Sequence, residues 1–129
     1  MPNQALVLIV DDFDDALEMY QEYLTFKGYR VVVAASGEEG LAIARAQRPA
    51  LIFMDVRMSA MSGTDAMHLL RSDATFAEVP IVALTAHAFI DEAAAMLAAG
   101  FDEVITKPCN PDALIVAAER LLGRARQAR

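Results

Sequence analysis

The chain has 129 residues, 56% of them hydrophobic and 22% charged, with a formal net charge of −7. That composition excludes a disordered chain, the acidic balance excludes a bulk electrostatic grip on nucleic acid, and no apolar run reaches the roughly 20 residues that span a bilayer. The length suits one domain, and the single cysteine, Cys109, excludes an internal disulfide.

The N-terminus, MPNQALVLIVDD, has no basic region and its apolar stretch ends in acid, unlike a signal peptide. A soluble cytoplasmic protein is the expectation. Ala5 to Val10 is a short continuous apolar run, the mark of a strand buried on both faces. The period then changes. Ala16, Leu17, Tyr20, Tyr23 and Leu24 recur at three- and four-residue steps, one face of a helix that Gly28 ends. YRVVVAA is a second strand. SGEEGLAIARAQ opens with Ser36 as N-cap and Glu39 three residues on, a capping-box pattern, and Pro49 follows its end. ALIFMD is a third buried strand, and GTDAMHLLRSD a short helix with Leu69 and Leu70 as its core residues. Pro80 precedes strand four, IVALT. DEAAAMLAAG is an alanine-rich helix closed by Gly100, with Ala95, Ala98 and Ala99 facing outward. EVIT is a fifth strand. NPDALIVAAERLLG has Asn110 as N-cap and a proline at the first helical position. One domain over 1–129 is expected, with its core over about 5–122 and a frayed basic tail at 123–129.

Five strand–helix units in strict alternation predict a parallel sheet with helices on both faces, since parallel strands need crossover connections. In such sheets ligands bind outside the carboxyl ends of the strands. Strand one ends in Asp11 and Asp12, strand three in Asp55, strand four in Thr85 and strand five in Lys107. Converging carboxylates raise each other's pKa unless a cation intervenes. Magnesium suits them, because it takes oxygen ligands and is usually held by one or two carboxylates plus a phosphate. One carboxylate left as nucleophile, beside a metal, an ammonium and a hydroxyl, makes a phosphoryl-acceptor site. Asp14 and Asp15 read differently, as first-turn carboxylates that complement a helix dipole.

VLIVDD, LIFMDVRM, ALTA and ITKP, in this order and spacing, resemble the receiver domain of bacterial two-component response regulators. The resemblance runs from about residue 5 to residue 122. It implies a flavodoxin-like, doubly wound five-stranded parallel sheet of order 2-1-3-4-5 with five helices. It implies Asp55 as phosphoacceptor, and Mg²⁺ held by Asp12, Asp55 and the backbone carbonyl of Arg57, with Asp11 acting through a metal-bound water. Thr85 would bond the phosphoryl group and Lys107 would pair with it. Arg57 and His87 would flank the group and tune its lifetime, and the Lys107–Pro108 bond would be cis. The donor would be a histidine kinase or histidine phosphotransfer protein, and the output a contact with a downstream protein. No direct nucleic-acid or membrane contact, no enzymatic activity beyond its own phosphoryl transfer and autodephosphorylation, and a monomer are expected. Because the chain ends after helix five, a stand-alone receiver is expected. The alternative is a degenerate receiver used as a phosphorylation-independent binding module, against which the intact quintet argues.

Some positions depart from the family pattern. Val104 stands where an aromatic residue is frequent three positions before the lysine, and Ser59 where a proline is frequent after the phosphoacceptor. Other residues have plainer readings. His68 reads as a solvated or half-buried helix residue, and Cys109 as a small packed residue near the site. Met54, Met58, Met61 and Met67 read as core or loop packing. Met19, Tyr23 and Phe26 form a stripe on helix one that either extends the core or offers a ridge to a partner helix, where the family's phosphodonor bundle lies.

Overall fold

The computed structural model describes residues 5–86, 89–107 and 110–127. The elements alternate as the periodicity requires: β1 (Leu6–Val10), α1 (Asp14–Phe26), β2 (Arg30–Ala34), α2 (Gly37–Gln47), β3 (Leu51–Asp55), α3 (Gly63–Arg71), a 3-10 turn (Ala74–Phe76), β4 (Ile81–Thr85), α4 (Ile90–Ala99), β5 (Glu103–Thr106) and α5 (Pro111–Gln127). The five strands form one parallel sheet in the order β2-β1-β3-β4-β5. β1, β3 and β4 are buried at every position, which is why they read as unbroken apolar runs rather than alternating ones.

The sheet divides the core in two. Val7, Ile9, Phe53, Val82 and Leu84 face α1 and α5, where Leu17, Tyr20, Leu24, Leu114 and Leu121 meet them. Leu8, Val10, Ile52, Met54 and Ala83 face the other side, against Leu41, Met67, Leu70 and Phe76. The methionines behave as packing residues: Met54 and Met67 are buried, and Met58 and Met61 lie partly buried against the second cluster.

The helix ends follow local chemistry. Ser36 Oγ accepts from Glu39 N at 3.1 Å, and Glu39 Oε1 reaches back to Ala35 N at 2.6 Å, so two otherwise orphaned donors are satisfied. Asn110 Oδ1 accepts from Asp112 N at 2.9 Å ahead of Pro111. Gly28 follows α1 at φ 99, a left-handed value that favours glycine.

Four details differ from the sequence expectation. Leu70 is buried, but Leu69, about 100° further round the helix, is exposed. Ala99 is partly buried against the second cluster rather than facing outward. α5 runs on past Gly123 to Gln127, whereas the sequence pattern ended the helix at Gly123. The 3-10 turn was not foreseen; it seats the buried Phe76 ring under the Arg48 guanidinium, 5.1 Å from its centroid.

Candidate functional site

β1 and β3 are hydrogen-bonded neighbours, so their polar exits meet. Asp11 follows β1, its amide donating to Ala34 O at 3.1 Å, and Asp55 is the last residue of β3. Carboxylate oxygens of Asp11, Asp12 and Asp55 lie within 4.8 Å of one another. Asp11 and Asp55 are buried, whereas Asp12 is exposed. Lys107 comes from the next edge of the sheet, after β5, and its amide donates to Thr85 O at 2.6 Å. Its Nζ lies 2.9 Å from Asp11 Oδ2 and 3.6 Å from Asp55 Oδ2. Thr85 ends β4 one position beyond Leu84, the register partner of Asp55, and is 2% exposed. The structure therefore gathers Asp11, Asp12, Asp55 and Lys107 into one cluster, with Thr85 at the adjoining strand end.

The electrostatics follow from that crowding. Burial, and then the charge of Asp11, push the Asp55 carboxyl up from its ordinary 3.8 to about 6, against the pull of Lys107 and of the Arg57 amide. The Lys107 ammonium is held above its ordinary value: burial pulls it down, and its hydrogen bond and charge pairing with Asp11, reinforced by Asp55, outweigh that. One ammonium faces three carboxylates, so a hard divalent cation with oxygen ligands fits the donor set.

The backbone around Asp55 is tightly fixed. Val56 N donates to Leu84 O and Gly63 N to Val56 O, each at 2.9 Å, closing the loop between β3 and α3. Arg57 N donates to Asp55 Oδ1 at 3.3 Å, and Ser59 N to Asp12 Oδ2 at 3.4 Å. The Arg57 side chain is exposed. A Cβ on Gly63 would stand 2.0 Å from Asp55 O, so only glycine lets α3 begin here. The Asp11–Lys107 pair had no signal in the sequence beyond residue type, whereas Gly63 stands where the resembling family has the glycine that ends this loop. His87, Pro108 with its peptide bond, and Cys109 lie outside the described residues.

Burial differs along the Met19–Tyr23–Phe26 stripe. Tyr23 packs partly against the α1/α5 core, and its hydroxyl donates to Asp112 Oδ1 at 2.6 Å. Met19 and Phe26 are exposed and, with Glu22 and the Asn110–Asp112 turn, border an open groove of about 620 Å³.

The family model described as the response regulator receiver domain matches residues 7–119. The chain belongs to that family. This receiver domain is 36% identical over 118 residues to the probable transcriptional regulatory protein TcrX of Mycobacterium tuberculosis, covering 92% of this chain and 50% of that one. It is 39% identical over 108 residues to the transcriptional regulatory protein YvrH of Bacillus subtilis, covering 83% and 44%. The receiver domain thus spans about half the length of these curated relatives. Among solved structures it superposes on the chemotaxis response regulator CheY4 of Vibrio cholerae with a TM-score of 0.87 at 32% identity, over 92% of this chain and 99% of that one. It is a signalling domain of the two-component type, with the flavodoxin-like strand order. No helix among its described residues is long and apolar enough to cross a membrane.

Proposed function

We infer that this receiver domain takes a phosphoryl group onto Asp55 from a phosphohistidine donor, a histidine kinase or histidine phosphotransfer protein. The observation that carries the reading is the buried Asp55 carboxylate with Lys107 Nζ at 3.6 Å and two further carboxylates beside it. In the transfer, an Asp55 oxygen forms a bond to phosphorus as the phosphorus–nitrogen bond breaks, and the imidazole leaves with the electron pair. Asp55 must be ionised to attack, which its pKa of about 6 allows at neutral pH. Lys107 moves from pairing with Asp11 toward the new phosphoryl oxygens, and the Thr85 hydroxyl donates to one of them. Asp12, Asp55 and the Arg57 carbonyl would hold Mg²⁺, with Asp11 acting through a water. Bound there, Mg²⁺ supplies neutralising charge for the phosphoryl oxygens.

Arg57, exposed beside the acceptor, and His87 tune how long the phosphoryl group survives hydrolysis. The domain catalyses only this transfer and its own dephosphorylation, and signals from the cytoplasm through altered contacts with a downstream protein. It acts as a monomer without touching nucleic acid itself; the exposed Met19 and Phe26 give the donor an apolar ridge. The quintet of Asp11, Asp12, Asp55, Thr85 and Lys107 favours this over a receiver that only binds.

The test is incubation with acetyl phosphate and Mg²⁺, read by intact mass. Wild type gains one phosphoryl group and Asp55→Asn gains none. Equal labelling of the two would remove Asp55 as the acceptor.

A further inference from the structure

Each of the three site carboxylates accepts a main-chain N–H. Phe13 N donates to Asp11 Oδ1 at 3.0 Å, and Arg57 N to Asp55 Oδ1 at 3.3 Å. Both donors lie two residues after their acceptor, so these bonds are local turns of the kind an aspartate makes with its own backbone. The third is different. Asp12 Oδ2 accepts from Ser59 N at 3.4 Å, across 47 positions of sequence. It joins the exit of β1 to the loop that follows the acceptor.

Asp12 is also the carboxylate with the least support. Asp11 and Asp55 are buried and share the Lys107 ammonium, at 2.9 and 3.6 Å, whereas Asp12 is exposed. Among the described residues, the Ser59 amide is the one hydrogen-bond donor to its side chain. Ser59 stands where the family frequently has proline, and a proline has no N–H to give. The departure therefore creates the bond. Val56 N on Leu84 O and Gly63 N on Val56 O close the loop around this donor. Ala60 beside it is at φ 62, a left-handed value that L side chains rarely adopt, so the turn past Ser59 is held by those closures rather than by local preference.

We propose that the Ser59 main-chain N–H is a positioning group for the metal step: it holds the exposed Asp12 carboxylate in place beside Asp55 before a cation arrives. The hydrogen bond rests on the fold alone; its use in loading Mg²⁺ rests on the phosphoryl-acceptor reading. An exposed aspartate samples several rotamers, and freezing such a ligand on binding costs affinity, which a prior anchor lessens. A carboxylate accepts at more sites than one amide fills, so the anchor turns Asp12 without using it up. Hydrogen-bonded partners of metal ligands usually count for roughly 10–100-fold in affinity; this bond is long and reaches an exposed group, so about fivefold is expected.

Mg²⁺ titrations of the intact protein, followed by amide chemical shifts, test this. Ser59→Pro should weaken Mg²⁺ binding about fivefold, and Ser59→Ala, the conservative change that keeps the N–H, should retain the wild-type affinity. Equal affinity in Ser59→Pro and wild type, or an equal loss in Ser59→Ala, overturns the proposal. If Ser59→Pro does not fold, an ester in place of the peptide bond between Met58 and Ser59 removes the N–H with the side chain intact and provides the same comparison. Labelling by acetyl phosphate should be slowed in Ser59→Pro at subsaturating Mg²⁺ and recover at saturating Mg²⁺; a rate that stays low at saturation marks damage to the acceptor and overturns the positioning role. Without metal, Asp12→Ala should move the Ser59 amide proton upfield as its acceptor is removed; an unmoved resonance overturns the anchor. A wild type that binds no Mg²⁺ would instead remove the metal reading and the loading role with it, and the amide shift would then decide the anchor alone.

Discussion

Replacing Asp55 by Asn should make the metal-free protein more stable, although it deletes the residue assigned the central chemistry. The native carboxyl titrates near 6 against an ordinary 3.8. Between those values the native state binds more protons than the unfolded chain, so stability falls as pH rises. The contribution is fully present below about 3.8 and lost as pH passes through about 6. A displacement of about two pKa units is worth ~3 kcal/mol. Asn keeps the volume and removes the charge, and Lys107 keeps its 2.9 Å partner Asp11. For a domain of this size ~3 kcal/mol corresponds to about 10 °C in melting temperature. Thermal and urea unfolding in EDTA, from pH 4 to pH 8, measure the difference between wild type and Asp55→Asn. The variant's advantage should be near zero at pH 4 and reach its full value above pH 7. A variant no more stable than wild type at pH 7.5, or an advantage constant across that range, would refute the claim that burial, and then the charge of Asp11, strain the ionised site.

The same crowding predicts that Mg²⁺ raises the melting temperature of wild type by mass action, with little effect on Asp55→Asn; identical melting curves from zero to tens of millimolar Mg²⁺ would count against the metal site. Gly63→Ala sets a Cβ 2.0 Å from a backbone oxygen that cannot swing away, so a loss of more than about 2 kcal/mol is expected. Urea unfolding checks it, and a loss under half that size would mean α3 can shift its start freely.

The sequence was most legible where burial is complete. β1, β3 and β4 bury both faces, so their apolar runs had one reading, and the residues that broke them had to sit at the rim. Caps were legible because Ser36 and Asn110 act within three residues of themselves. What needed the third dimension stayed hidden. Leu69 and Leu70 are equally apolar, and only the orientation of α3 decides which one the core receives. The 3-10 turn is too short to have a period. Arg71 looks like any basic residue in a last helical turn, yet its partners Gly100 and Asp102 lie about thirty positions on, set by how α3 packs beside α4. The placement of Lys107 against Asp11 as well as Asp55 likewise depends on distances that residue type does not encode.

The contact at Gly63 has a consequence for how such a site can vary. The gauge between α3 and the acceptor strand is main chain against main chain, with no side chain in between to shorten or lengthen. The loop from Val56 to Ser62 is closed on itself, with Val56 N bonded to Leu84 O on β4 and Gly63 N back to Val56 O, so its two ends are held together while the residues between them carry the variation. Change is channelled outward, to Arg57 and Ser59, whose side chains are exposed. The frame behaves like a jig: the part that holds the reacting carboxylate resists revision, and the surrounding fittings can be exchanged one at a time without re-cutting it.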